Sequence, residues 1–140
     1  MNEFALDAGL RADCHVLGRL PLCEVLLLNR AEVPWFILVP RTTPIDLCDL
    51  TAAEQGQLLG EVSQLSRVIR QHFAATKLNV AAIGNRVAQL HVHVIGRRTD
   101  DPWWPGVVWG QPSSKTYADA RVAAIRTLLS AELGAAFTAV

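Results

Sequence analysis

Two histidines one residue apart, His91 and His93, stand in the segment Gln89-Leu-His91-Val-His93-Val-Ile95. Imidazole is the side chain that acts as nucleophile, base or hydrogen-bond donor near neutral pH, so this pair is the first place to look for chemistry. Side chains alternate across a strand, which puts Gln89, His91, His93 and Ile95 on one face and Leu90, Val92 and Val94 on the other. Successive members of the polar row are then roughly 7 Å apart. Immediately upstream, Gly84-Asn85-Arg86-Val87 combines close backbone approach at glycine, an amide, a guanidinium and turn N–H groups, a set that suits a phosphate. The same Gly-Asn is also an ordinary hairpin turn. Two strand histidines can share a metal ion, but no third and fourth ligand lie nearby in sequence, so neither a metal nor a cofactor is expected.

The elements that must hold this row are legible from periodicity. Val25–Asn29 and Trp35–Val39 are short aliphatic and aromatic runs, the second ended by Pro40, and they predict a hairpin. Thr51-Ala-Ala-Glu54 has capping-box spacing, and Leu58, Val62, Leu65, Ile69 and Phe73 recur on one face, predicting a long helix over Ala52–Phe73. Thr116-Tyr-Ala-Asp119 repeats the capping pattern ahead of Val122, Ile125, Leu129 and Leu133, a second amphipathic helix. Leu78–Ile83 reads as a strand, Gly84-Asn85 as a turn, and Val87–Ile95 as the returning strand. An antiparallel meander is the simplest topology, with a weakly signalled further strand at His15–Leu20. Strands grouped around one long helix make the class α+β.

Composition limits the possibilities. The 140 residues fit one domain and are 51% apolar, with 13 acidic and 13 basic side chains. That balance argues against disorder and against a broad nucleic-acid surface, while leaving room for a small anionic ligand. Cys14, Cys23 and Cys48 are odd in number, have no Cys-x-x-Cys spacing and read as buried thiols of a reducing compartment. Met1–Asp7 carries acids where a signal peptide carries bases, and no apolar run reaches membrane-span length. A cytoplasmic protein without membrane contact is expected.

The run from Gln89 to Ile95 resembles the motif of the histidine-triad (HIT) family, His-φ-His-φ-His-φ-φ with φ apolar, with Gln89 in the first position. Gly84–Val87 is similar to the Gly-[Gln/Asn]-x-Val that precedes the triad. Leu26–Asn29 with Ile37–Pro40 resembles the family's nucleotide-pocket hairpin, and Leu50–Phe73 its long helix. The resemblance covers about residues 25–98, leaving a tryptophan-rich loop and helix over 99–140.

The resemblance implies a five-stranded antiparallel sheet with one long and one C-terminal helix, paired into a homodimer with a continuous sheet. It implies a purine nucleotide or dinucleoside polyphosphate as substrate. His91 would attack the α-phosphorus of a phosphoanhydride or phosphoramidate, and water would hydrolyse the nucleotidyl-histidine. His93 would assist the leaving group, and Asn29, Gly84, Asn85, Arg86, Val87 and Gln89 would bind substrate. Physically, an imidazole nucleophile splits a hard displacement into two steps, with Arg86 and turn N–H groups stabilising the developing charge.

The departures matter. Gln89 hydrogen-bonds but cannot change charge near neutral pH, which keeps open an alternative reading: a nucleotide-binding regulatory protein with little or no turnover. Trp35-Phe36 stands where members often carry Gly-His. Trp103, Trp104 and Trp109 would either close over a base or a neighbouring subunit, or pin their own loop to the core. Arg97 and Arg98 beside Asp100 and Asp101 read as a solvated charge cluster.

Overall fold

The computed structural model describes residues 3–140, so Met1 and Asn2 of the acidic N-terminal stretch lie outside the described residues. A six-residue helix α1 (Ala8–Asp13) is followed by β1 (Cys14–Arg19), β2 (Cys23–Leu28) and β3 (Trp35–Pro40). The long helix α2 (Ala52–His72) leads to β4 (Lys77–Ala81) and β5 (Val92–Arg97), and the chain ends with α3 (Asp119–Leu133) and β6 (Thr138–Ala139). All strand pairs are antiparallel, in the order β4-β5-β3-β2-β1-β6.

This is the expected α+β class with six strands rather than five, the sixth being the two-residue β6 on β1. The expected hairpin β2–β3 pairs from Cys23↔Pro40 to Leu27↔Phe36. Beyond β3 the chain departs from a plain meander. The 21-residue α2 spans about 30 Å, enough to cross the sheet face. The chain therefore returns one place further out as β4, and β5 fills the gap beside β3. The strand expected over Val87–Ile95 is shifted to Val92–Arg97, because pairing begins only at Leu38↔Val92 on one side and Ala81↔His93 on the other. Residues 87–91 alternate correctly but have no ladder partner among the described residues.

Each face of the sheet buries its own apolar cluster. On one side Leu65 and Ile69 of α2 and Ile125 and Leu129 of α3 pack with Val25, Leu27, Phe36, Leu38, Leu90, Val92 and Val94. Each such side chain contributes about 1.5–3 kcal/mol on full burial. On the other, Leu26, Trp35, Ile37, Val39 and Ile95 are covered by Leu10 of α1 and by Trp103 and Val108 of the loop after β5. That second cover explains why β3 is buried along its whole length.

Local signals were partly misleading. Thr51 and Glu54 do form a reciprocal capping box on α2. The second box does not form: α3 starts at Asp119 with Ala118 as an N-cap that makes no side-chain bond. The preceding backbone is held elsewhere, since Glu32 accepts from the Ser114 and Lys115 N–H groups and Asn29 Oδ1 accepts from Tyr117 N at 2.9 Å. The short helix α1, capped by Asp7 accepting from Gly9 N and Leu10 N, has no counterpart among the expected elements.

The charge cluster after β5 is not solvated as a whole. Arg97 and Asp101 side chains are 2% and 5% exposed and bonded at Nε (2.8 Å) and Nη2 (3.1 Å). Arg97 Nη1 donates in addition to Asn79 Oδ1 and Gly106 O, and its guanidinium lies over Trp104. Burial works against the Asp101 carboxylate, but the bonds from Arg97 and from the Trp103 and Arg98 amides outweigh it and hold the group below its ordinary range. Only Arg98–Asp100 is the exposed pair expected. Breaking a buried pair leaves an uncompensated charge, so Arg97→Ala should cost about 3–5 kcal/mol of stability in urea unfolding. Arg98→Ala should barely move the midpoint, and equal effects of the two would show that burial of the first pair does not matter.

Candidate active site

His93 is held by ladder pairing on both sides, opposite Ile37 and Ala81. His91 lies just before the strand, so one histidine is on a rigid element and the other on its approach. The alternation expected from sequence holds across the break: Leu90, Val92 and Val94 enter the cluster under the helices, while Ile95 enters the opposite one. Both imidazoles are 7% exposed, with ring centroids 5.0 Å apart.

The hydrogen bonds of the two rings assign their tautomers. His91 Nδ1 is 2.6 Å from the Gln89 carbonyl oxygen, which can only accept, so Nδ1 carries the proton and the lone pair is on Nε2. His93 Nδ1 is 2.9 Å from the Trp35 indole nitrogen, which can only donate. The two rings thus differ at Nε2, a lone pair on His91 and an N–H on His93. Neither Nε2 has a hydrogen-bond partner among the described residues. Burial, followed by the charge that His91 would carry, pushes His93 down to about 4, so it is neutral at physiological pH.

Tryptophans complete the enclosure. Trp109 meets His93 edge-on at 5.3 Å and Trp35 at 5.8 Å, while Trp103 is buried in the cluster beneath. Trp103 therefore pins the loop to the core, one of the two roles expected of these tryptophans, and Trp109 is brought against His93. Residue order does not bring Trp35 to His93, nor say which tryptophan of the loop meets it, because both approaches depend on β3–β5 pairing and on the path of the loop.

His91 opens onto a cleft of about 320 Å³ lined also by Ile45, Asp46, Cys48, Ile83, Gly84 and Leu90. A second depression of about 430 Å³ adjoins it through Ile45 and Leu90 and includes Arg41, Thr42 and Gln89. Gly84, in the cleft wall, has φ +70, a backbone state that favours glycine. Asn85 and Arg86 are exposed beside it, with Arg86 in no ion pair among the described residues. Val87 packs against the apolar cluster that contains Trp35, Ile37 and Ile95.

Gln89 is occupied by the chain itself: Oε1 accepts from Asp7 N at 2.8 Å and Nε2 donates to Ala5 O at 2.9 Å, fastening the N-terminal segment beside the histidines. Asn29 is likewise spent on Tyr117 N and lines neither depression. Cys48, expected to be buried, is exposed on the short 3-10 turn Leu47–Asp49. Cys14 is half-buried and Cys23 buried, and burial, aided by Asp13 for Cys14 and Glu61 for Cys23, raises both thiols, Cys14 to about 12. Among the described residues no three His, Cys, Asp or Glu side chains are grouped to hold a metal ion, and no helix is long and apolar enough to cross a membrane.

A family model for the HIT domain matches residues 10–100. Among solved structures, the chain is similar to a histidine triad protein from Marinobacter aquaeolei, at 42% identity over 96% of this chain and 99% of that one, with a TM-score of 0.89. It is similar to one from Bradyrhizobium japonicum at 38% identity, covering 94% and 98% with the same score. A third, from Sinorhizobium meliloti, is 35% identical over 92% and 96%, again at 0.89. No curated protein matches the chain significantly. The family model spans well over half of the chain and these full-length likenesses reproduce its sheet and helices: the chain belongs to the histidine triad family.

Proposed function

We propose that this protein is a nucleotidyl hydrolase or transferase that works through a covalent intermediate on His91. Family membership carries the general class, nucleotide-binding hydrolases and transferases. The finer reading is carried by one observation, the 2.6 Å contact of His91 Nδ1 with the Gln89 carbonyl, which leaves Nε2 as a lone pair beside the cleft. That nitrogen attacks the α-phosphorus of a nucleoside phosphoanhydride or phosphoramidate. The N–P bond forms as the bond to the leaving group breaks, and the leaving group departs with its electron pair and takes up a proton. Water then attacks the phosphorus, the N–P bond breaks to release the nucleoside monophosphate, and His91 returns to its starting state; another acceptor in place of water leaves carrying the nucleotidyl group.

The surrounding residues supply the remaining parts. His93 Nε2–H donates to a phosphate oxygen or the leaving group, the Gly84 turn lets backbone N–H groups approach, and exposed Asn85 and Arg86 reach the phosphates from the rim. Val87 anchors that turn through its packing. Gln89 contributes its carbonyl to His91 and its amide to the segment beside the site, and Asn29 at the end of β2 holds the backbone ahead of α3 through Tyr117 N. Asp46 in the cleft is an acceptor suited to ribose hydroxyls. A purine nucleotide or dinucleoside polyphosphate is the substrate class, and no cofactor enters the scheme. The second reading, a nucleotide-binding regulatory protein with little turnover, draws on Gln89, whose amide supplies no titrating group. The three free thiols suit a reducing cytoplasm. β4 leaves one edge unpaired and Val80 and Ile83 near it are exposed, which fits a homodimer that continues the sheet through that edge.

Three outcomes test this reading. His91→Ala should nearly abolish turnover of adenosine phosphoramidate or a dinucleoside polyphosphate while retaining nucleotide binding, and His93→Ala should lose about two to four powers of ten. Mass spectrometry of quenched wild type should find a nucleotidyl group on His91, and full activity in His91→Ala would overturn the mechanism. Sedimentation should give about twice the chain mass, and a folded monomer at micromolar concentration would refute the pairing. The third outcome concerns pH. An unfolded histidine titrates at about 6.5, whereas folded His93 resists the proton until about 4. The unfolded state binds more protons between those values, so the His93 contribution to stability is complete above 6.5 and is lost as pH falls towards 4. His93→Gln should flatten that part of the stability profile.

A further inference from the structure

The role given to His93 requires its ring to present an N–H, not a lone pair, beside the lone pair of His91. What enforces this is a residue outside the triad register. We propose that Trp35 is a positioning residue of the reaction: its indole N–H locks His93 in the Nε2–H tautomer and in one ring orientation, so that His93 meets the reacting phosphate as a donor. The inference rests on the proposed function for its catalytic consequence, but the tautomer itself can be read without turnover.

The geometry is specific. Trp35 is 2% exposed, and its Nε1 lies 2.9 Å from His93 Nδ1 with the rings near-perpendicular at 65°. Its backbone is fixed in register opposite Ile95, two residues beyond His93 on the neighbouring strand, so the bond runs diagonally across a paired ladder. Trp109 stands edge-on to both rings and restricts either from turning away. The alternative His93 tautomer would face one buried N–H with another and leave both unpaired, a disfavour on the order of ten- to a hundredfold. The Gln89 carbonyl imposes the opposite tautomer on His91. One obligate donor and one obligate acceptor, neither of them ionisable, thus make two chemically identical side chains into a donor and a nucleophile.

Nitrogen-15 NMR of the histidine-labelled wild-type protein tests the assignment directly. His93 Nδ1 should show the shift of an unprotonated nitrogen and a scalar coupling to Trp35 Nε1–H, and Nε2 that of a protonated one. Addition of adenosine monophosphate should move the Nε2 signal. A protonated Nδ1 in the wild type would overturn the proposal at once. Trp35→Phe keeps an aromatic ring and removes the donor. It should mix the His93 tautomers and lower kcat about ten- to a hundredfold with KM little changed.

In a His93→Ala background the same substitution should have little further effect. A purely packing role would predict the same loss in both backgrounds and an unaltered His93 spectrum, and that result would refute the proposal. If Trp35→Phe fails to fold, the wild-type coupling decides the tautomer and the Nε2 response to the monophosphate decides the contact. Absence of turnover in the wild type on every substrate would strike the proposed function, while leaving the spectra to decide the lock.

Discussion

The buried Arg97–Asp101 pair sits where β5 ends, and the arrangement of the site depends on it. The guanidinium donates two bonds to one carboxylate, one to Asn79 of β4 and one to the Gly106 carbonyl. It therefore ties the outer strand, the end of the histidine strand and the tryptophan loop to one point. A charge this deep is tolerated only when its donors are answered, so the loop has little freedom to lie elsewhere. Its path carries Trp103 and Val108 over the sheet and sets Trp109 against His93. A surface-exposed ion pair at the same sequence positions would leave that face of β3 and β5 open to water.

Against that cover, the two histidines are distinguished by neutral partners, a backbone carbonyl and an indole N–H. Peptide carbonyl and indole N–H are fixed in their roles, the one accepting and the other donating. Desolvation keeps His93 neutral, and the ring opposes no positive charge to His91. The Gln89 backbone carbonyl accepts from His91 Nδ1, and its side-chain amide, which both donates and accepts, fastens the Ala5–Asp7 segment.

Much of this could be read from residue order. The period-2 alternation around His91 and His93 assigns their common face, because a side chain's side of a strand depends only on parity, and it held even where pairing had stopped. The 3.6-residue rhythm of Leu58, Val62, Leu65 and Ile69 and the Thr51–Glu54 box determine α2, since both are local properties of a helix. Glycine at position 84, with its positive φ, marked the turn beside the site.

Tertiary structure decided the rest, and for one physical reason: a hydrogen bond or buried charge is settled by whichever partner arrives, not by the residue that waits for it. Thr116 had the pattern of a cap, but Asn29 and Glu32 reached the backbone ahead of α3 first. Arg97 and Arg98 are neighbours of the same type, yet one is sealed inside and the other exposed, according to where Asn79 and Gly106 lie. Residues 87–91 have strand alternation but no neighbouring strand to pair with. Trp35 and His93, 58 positions apart, meet only because α2 sends the chain out to β4 and β5 returns beside β3. Residue order alone determined which side chains share a face; the tautomer each histidine adopts there was decided by contacts that only the folded sheet brings together.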